Sequence, residues 1–225
     1  MIIVATVGLL LATAPSRAED AGAVWPEFKA GRSLPVIEVI DDNGRVRSTA
    51  EWKGVPMILA PIYSRCPLAC PLIARGLKKG VAKSSAPPSS YRVVLFSFDP
   101  HDTPADLRRF RDRERLPLGW TVAKAVRNDD TRRLLDAAGY RYAEAGGTFI
   151  HENAVIALTA DLRTAAMLRG TSYDIDDALA AAQGRRGWVG RFGGWLLAPL
   201  LFISMLAAVY LLTLLGARAP TTNAR

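Results

Sequence analysis

Val55 to Ile62 is a near-continuous apolar run broken only by two prolines. A strand with no polar alternation has to be covered on both faces, the position of a central strand in a sheet flanked by helices. The run leads straight into Tyr63-Ser64-Arg65-Cys66-Pro67-Leu68-Ala69-Cys70-Pro71, which holds the only two cysteines in the chain. Leu72, Ile73, Leu77 and Val81 then mark a helix stripe. The two thiols are therefore predicted on a turn between a buried strand and a helix. On a first helical turn, positions i and i+4 share a face, so both sulfurs could meet one metal ion or each other.

The flanking pattern fixes the fold class. Pro35 to Asp41 alternates as a strand, Asp42-Asn43-Gly44-Arg45 carries a hairpin signal, and Val46 to Thr49 returns. Tyr91 to Phe98 is a second apolar strand, and a strand–helix–strand unit makes it parallel to Val55–Ile62. Thr103-Pro104-Ala105-Asp106 reads as a helix start with Thr103 as its cap. Trp120 to Ala125 reads as a short strand, and Asp129 to Ala138 as a helix stopped at Gly139. Ala154–Leu158 and Arg163–Leu168 form a closing hairpin, and Ser172 caps a last helix running to about Ala182. This is an α/β pattern.

The ends carry membrane signals. Residues 1–18 are an apolar run closed by Ser16-Arg17-Ala18 and read as a secretory signal peptide, although no basic residue precedes the run. Trp195 to Leu215 is uncharged and mostly apolar, long enough for one transmembrane helix. The organisation expected is a globular domain over 19–183, a glycine- and arginine-rich linker over 184–194, the transmembrane helix over 195–215 and a tail over 216–225. Arginines stand on both sides of the span and do not favour export of the domain. The signal peptide does, and it places the domain on the periplasmic, extracytoplasmic side of a single-pass protein. The net charge of +8 comes from scattered arginines. With no motif interleaving aromatic and basic residues, the chain reads as no nucleic-acid binder.

Three roles fit the cysteines by themselves. A structural disulfide across so short a loop would stabilise by only about 2 kcal/mol. Two buried free thiols are a second reading. The prolines after each cysteine and the loop position favour a third, a redox or metal role. Ligands of open α/β sheets gather beyond the carboxyl ends of the strands. Cys66/Cys70 and Asp99/His101 both follow parallel strands, and an antiparallel strand after His151 would bring that residue to the same edge. Two soft thiolates suit Cu(I), and an added imidazole lets the site also hold Cu(II).

Tyr63–Pro71, together with Ser97-Phe98-Asp99-Pro100-His101-Asp102-Thr103-Pro104 and the late His151, resembles the SCO/SenC family. The resemblance spans roughly Phe28 to Leu168. It implies a thioredoxin-like sandwich with an added N-terminal β-hairpin, and a membrane-anchored copper chaperone for cytochrome c oxidase assembly. The implied partners are the copper-binding oxidase subunit or another copper chaperone, and the implied copper ligands are Cys66, Cys70 and His151. One departure stands out: the family usually has Asp before that histidine and Ser or Thr after it, whereas Ile150 and Glu152 flank His151. His101 is the competing ligand, expected instead to cap the Asp99–Thr103 turn. A thiol–disulfide oxidoreductase acting on the cysteines of a copper acceptor is the alternative, with Cys66 and Cys70 as a redox-active disulfide. It needs no histidine, and its usual spacing is one residue shorter.

Overall fold

In the computed structural model, which describes residues 27–185 and 203–207, the domain begins with the hairpin β1 (Glu38–Asp41) and β2 (Val46–Ser48). Its turn is set by the Asp41 carboxylate, which accepts from the amides of Asn43 at 2.9 Å and Arg45 at 2.8 Å. Next come β3 (Met57–Ile62), α1 (Ala69–Lys83), β4 (Arg92–Ser97), α2 (Pro104–Glu114), β5 (Thr121–Ala125) and α3 (Asn128–Ala137). A small hairpin, β6 (Tyr142–Ala145) and β7 (Thr148–His151), precedes β8 (Ala154–Leu158), β9 (Thr164–Arg169) and α4 (Ile175–Ala182).

Seven strands form one sheet in the order β2-β1-β5-β4-β3-β8-β9. β3, β4 and β5 are parallel, as strand–helix–strand units require, and β8 runs antiparallel against β3. Every residue of β3 and β8 is buried, so both faces of the sheet centre are covered. The N-terminal hairpin adds to the edge through antiparallel pairing of β1 with β5. This is the thioredoxin-like sandwich with its added hairpin.

Two elements differ from the expectation. α1 begins at Ala69, so only Cys70 is helical, and Cys66 sits in the turn before it. Pro71 is tolerated there because amides of a first turn have no partner within the helix. α4 begins at Ile175 with Asp174, not Ser172, as its cap; the Asp174 carboxylate accepts from the Asp177 amide at 2.9 Å. The segment before α4 presses against α1 at Gly76, where a Cβ would lie 2.1 Å from the Thr171 carbonyl oxygen.

Among the described residues no helix is long and apolar enough to cross a membrane. The expected signal peptide lies outside the described residues, as do nearly all of the expected linker and span; 203–207 is helical.

Candidate metal centre

β3 ends at Ile62, and the chain turns at once. The Cys66 amide bonds back to the Tyr63 carbonyl at 3.2 Å. Backbone amides then point at both sulfurs: Tyr63 donates to Cys70 Sγ at 3.3 Å, and Cys70 donates to Cys66 Sγ at 3.3 Å. The sulfurs are thus brought together by a turn and not by sharing a helix face. Both cysteines are free thiols, and both are buried.

The turn is bracketed by the loop after β4. The Asp102 carboxylate accepts from the Ser64 amide at 2.9 Å, from the Ser64 hydroxyl at 2.5 Å and from the Ser97 hydroxyl at 2.5 Å. Asp99, fully buried, receives the Arg65 guanidinium through Nη2 at 2.7 Å and Nε at 3.1 Å. Lys124 reaches in from β5 and donates to the carbonyls of Pro100 and Asp102, each at 2.8 Å. Burial pulls its pKa down, and the nearby Asp102 charge opposes that. Ser64, Asp99 and Asp102 thus build the loop that presents the cysteines. Both acids stand in the Ser97–Pro104 motif, but their pairing with Ser64 and Arg65 appears only once the chain is folded.

The third arm is the β6–β7 hairpin, an element beyond those expected from the sequence. Its two-residue turn is Gly146-Gly147, with φ of +58° and +77°, backbone that suits glycine and the right-handed twist of a hairpin. His151 is the last residue of β7, opposite Tyr142, and β8 follows antiparallel to β3. This brings His151 to the carboxyl edge, as expected. One ligand atom each from Cys66, Cys70 and His151 lie within 4.8 Å of one another. His101 is exposed on the β4–α2 loop, its amide donating to Asp99 Oδ1 at 2.8 Å, and it is outside that cluster.

Aromatic rings wall in the imidazole. Tyr63 meets His151 edge-on at 5.8 Å and Phe98 meets it at 5.4 Å between ring centres. Phe149 packs against Tyr63 at 5.0 Å, and Tyr142 stacks on Phe98 at 4.6 Å. Behind the ring, the buried Tyr140 hydroxyl donates to the Glu152 carbonyl at 2.8 Å. That leaves its oxygen to accept from His151 Nδ1 at 3.0 Å, which also lies 3.0 Å from the Glu152 carbonyl. Both neighbours accept, so the network assigns a proton to Nδ1 and leaves Nε2 as the ring nitrogen available to a metal once it is deprotonated. A tyrosine hydroxyl and a backbone carbonyl together hold the ring.

The site has its own electrostatics. The Cys66 thiol is held well below the ordinary thiol range by a hydrogen bond from Cys70, against an opposing burial effect, with further help from His151 and the Cys70 amide. Burial pushes the Cys70 thiol up, and its bond to Cys66 adds to that. Burial is the largest influence on His151 and lowers it, but the hydrogen bonds to Cys66 and to the Glu152 carbonyl together with the Cys66 charge outweigh it and leave it above the usual imidazole value. Cys66 is thus the more readily ionised sulfur and Cys70 the less, beside an oriented histidine ring. Two sulfurs and one nitrogen are a soft set that fits copper.

Residues 35–115 match the SCO1/SenC family model. A protein of Aquifex aeolicus VF5, provisionally assigned to electron transfer, is 36% identical with a TM-score of 0.67, over 71% of this chain and 98% of that one. A SCO1/SenC family lipoprotein of Bacillus anthracis is 16% identical with a TM-score of 0.60, over 68% and 95% of the two chains. Yeast Sco1 with copper bound is 14% identical with a TM-score of 0.53, over 70% and 90%. The last two likenesses establish a shared fold. No curated protein matches the chain significantly.

Proposed function

This chain belongs to the SCO1/SenC family, and on that premise we propose that it is a membrane-anchored copper chaperone for the copper centre of cytochrome c oxidase. Cys66, Cys70 and His151 are its copper ligands. The carrying observation is the convergence of these three donors from two separate arms, with the imidazole oriented by Tyr140 and Glu152. A thiol exchanger can work with its two sulfurs alone, whereas a Cu(II) site draws its nitrogen donor from such an imidazole. The sulfurs supply the soft donors for Cu(I), and Nε2 extends the set to Cu(II). The oxidase subunit that houses the copper centre, or another copper chaperone, is the partner. The span 195–215 anchors the domain on the extracytoplasmic side.

The alternative is a thiol–disulfide oxidoreductase that reduces a copper acceptor. The lowered Cys66 thiol beside a buried Cys70 supports it, since exchange needs one thiolate and one partner thiol. Cells carrying His151→Ala or Cys66→Ala, assayed for oxidase assembly, separate the two. Failure of both variants supports the copper carrier. Normal assembly in His151→Ala with failure in Cys66→Ala favours the reductase.

A further inference from the structure

A shallow depression of about 410 Å³ opens onto Cys66 and is lined by Ser64, Arg65, Pro67, Arg75, Arg113 and Glu114, among others. Cys70, fully buried, does not line it. Any partner that exchanges copper or electrons with the pair from this side therefore meets Cys66 and, around it, three guanidinium groups. The arginines are held up to solvent: the side chains of Arg65 and Arg113 are 58% and 50% exposed. The acids that balance them are withdrawn. The Asp99 carboxylate has no exposure behind Arg65, and Glu114 is buried beside Arg113. Arg75 bonds only the Pro71 carbonyl of its own helix, at 3.2 Å, and has no acidic partner among the described residues. Leu68, next to this mouth in the chain, is 66% exposed and offers an apolar contact.

We propose that this arginine-rimmed depression is the docking surface of the site, and that it takes an acidic segment of a partner protein beside that partner's own thiols or copper ligands. The proposal rests on the copper-carrier reading for its biological sense and on charge complementarity for its partner. Rim charges of one sign act mainly on encounter rate and on partner choice. The three functional positions of the rim differ in kind. Arg65 and Arg113 also hold the cysteine turn, through Asp99 and through the Ser64 carbonyl at 2.9 Å. Arg75 holds nothing outside its helix, so its charge is free for recognition.

The test uses two peptides, each with one cysteine carried as a mixed disulfide with thionitrobenzoate, flanked by glutamates in one and by lysines in the other. The Cys66 thiolate attacks the peptide sulfur, a protein–peptide S–S bond forms, and the peptide–thionitrobenzoate bond breaks. Thionitrobenzoate leaves with the electron pair, and its colour reports the rate. The full chain is used reduced in detergent, with Cys70→Ser to prevent onward exchange. At low salt the glutamate peptide reacts about tenfold faster than the lysine peptide, and the ratio shrinks as salt rises. Arg75→Glu abolishes the preference, whereas Arg45→Glu, on the β1–β2 turn, leaves most of it. Equal rates, a lysine preference, or equal loss in both arginine variants overturns the docking surface. The assay contains no copper, so failure of copper binding would strike the carrier reading alone, and loss of charge preference in a copper-binding chain would strike the docking surface alone.

Discussion

The Asp102 carboxylate accepts both the amide and the hydroxyl of Ser64, at 2.9 and 2.5 Å, two residues before the first cysteine. Asp102 touches no ligand atom, yet it fixes the turn on which one ligand stands. Asp102→Ala leaves the Ser64 amide and the Ser64 and Ser97 hydroxyls without this acceptor, and an unsatisfied buried donor costs about 1–3 kcal/mol. Urea unfolding should show that loss, and copper affinity should fall with it. Unchanged stability would mean that water replaces the carboxylate.

Tyr140→Phe tests how the imidazole is held. It removes the hydroxyl that links His151 Nδ1 to the Glu152 carbonyl. Loss of a group that orients a ligand histidine weakens metal binding by about 10–100-fold. Cu(II) affinity should fall within that range, with about 1 kcal/mol lost from stability. A copper titration beside a denaturation curve reads both, and full affinity in Tyr140→Phe would contradict the orienting role.

How far the sequence speaks depends on how local the cause is. The strand before Cys66, the parallel β3–β4 pair and the Thr103 cap follow from apolar runs and capping chemistry, and all appear in the structure. The cysteine pair and the carboxyl-edge position of His151 were legible too, because strand direction determines where loops gather. The β6–β7 hairpin was not read, although Gly146-Gly147 between Tyr142–Ala145 and Thr148–His151 carries a two-residue turn signal. The aromatic wall and the Tyr140–His151 bond arise from residues far apart along the chain, set together only by packing. α1 starts three residues ahead of the Leu72 stripe, because Pro71 is harmless in a first turn, where amides have no partner within the helix.

The paired shifts set a pH window. The lowered Cys66 thiol stabilises the fold at pH above its ordinary range, and that contribution is lost as pH falls through the depressed value. The raised His151 contributes below its ordinary value and loses the contribution as pH rises through the raised one. The thiolate–imidazolium pair therefore exists between the two. Metal binding needs the neutral imidazole, so Cu(II) affinity should climb as pH passes the raised His151 value. Alkylation rate against pH should show a Cys66 midpoint well under the usual thiol value, moving up in His151→Ala. An ordinary midpoint in the wild-type chain would contradict the pairing.

Anchoring has a direct assay. The full chain should resist carbonate extraction from membranes, and a chain ending before Trp195 should be released as a soluble exported domain. If the shortened chain still behaves as an integral membrane protein, the run over residues 1–18 is an uncleaved anchor and not a signal peptide.

The central claim is that Cys66, Cys70 and His151 form one copper site, and copper titration of the reduced chain in each valence tests it most directly. One copper per chain is predicted, with tight binding abolished by Cys66→Ala or Cys70→Ala. His151→Ala should weaken Cu(II) strongly and remove nitrogen coupling from its resonance spectrum. Cu(I) should suffer less, because two thiolates can hold it, and His101→Ala should change little. Full-affinity copper in the double cysteine variant, or loss of Cu(II) in His101→Ala with none in His151→Ala, would contradict the site.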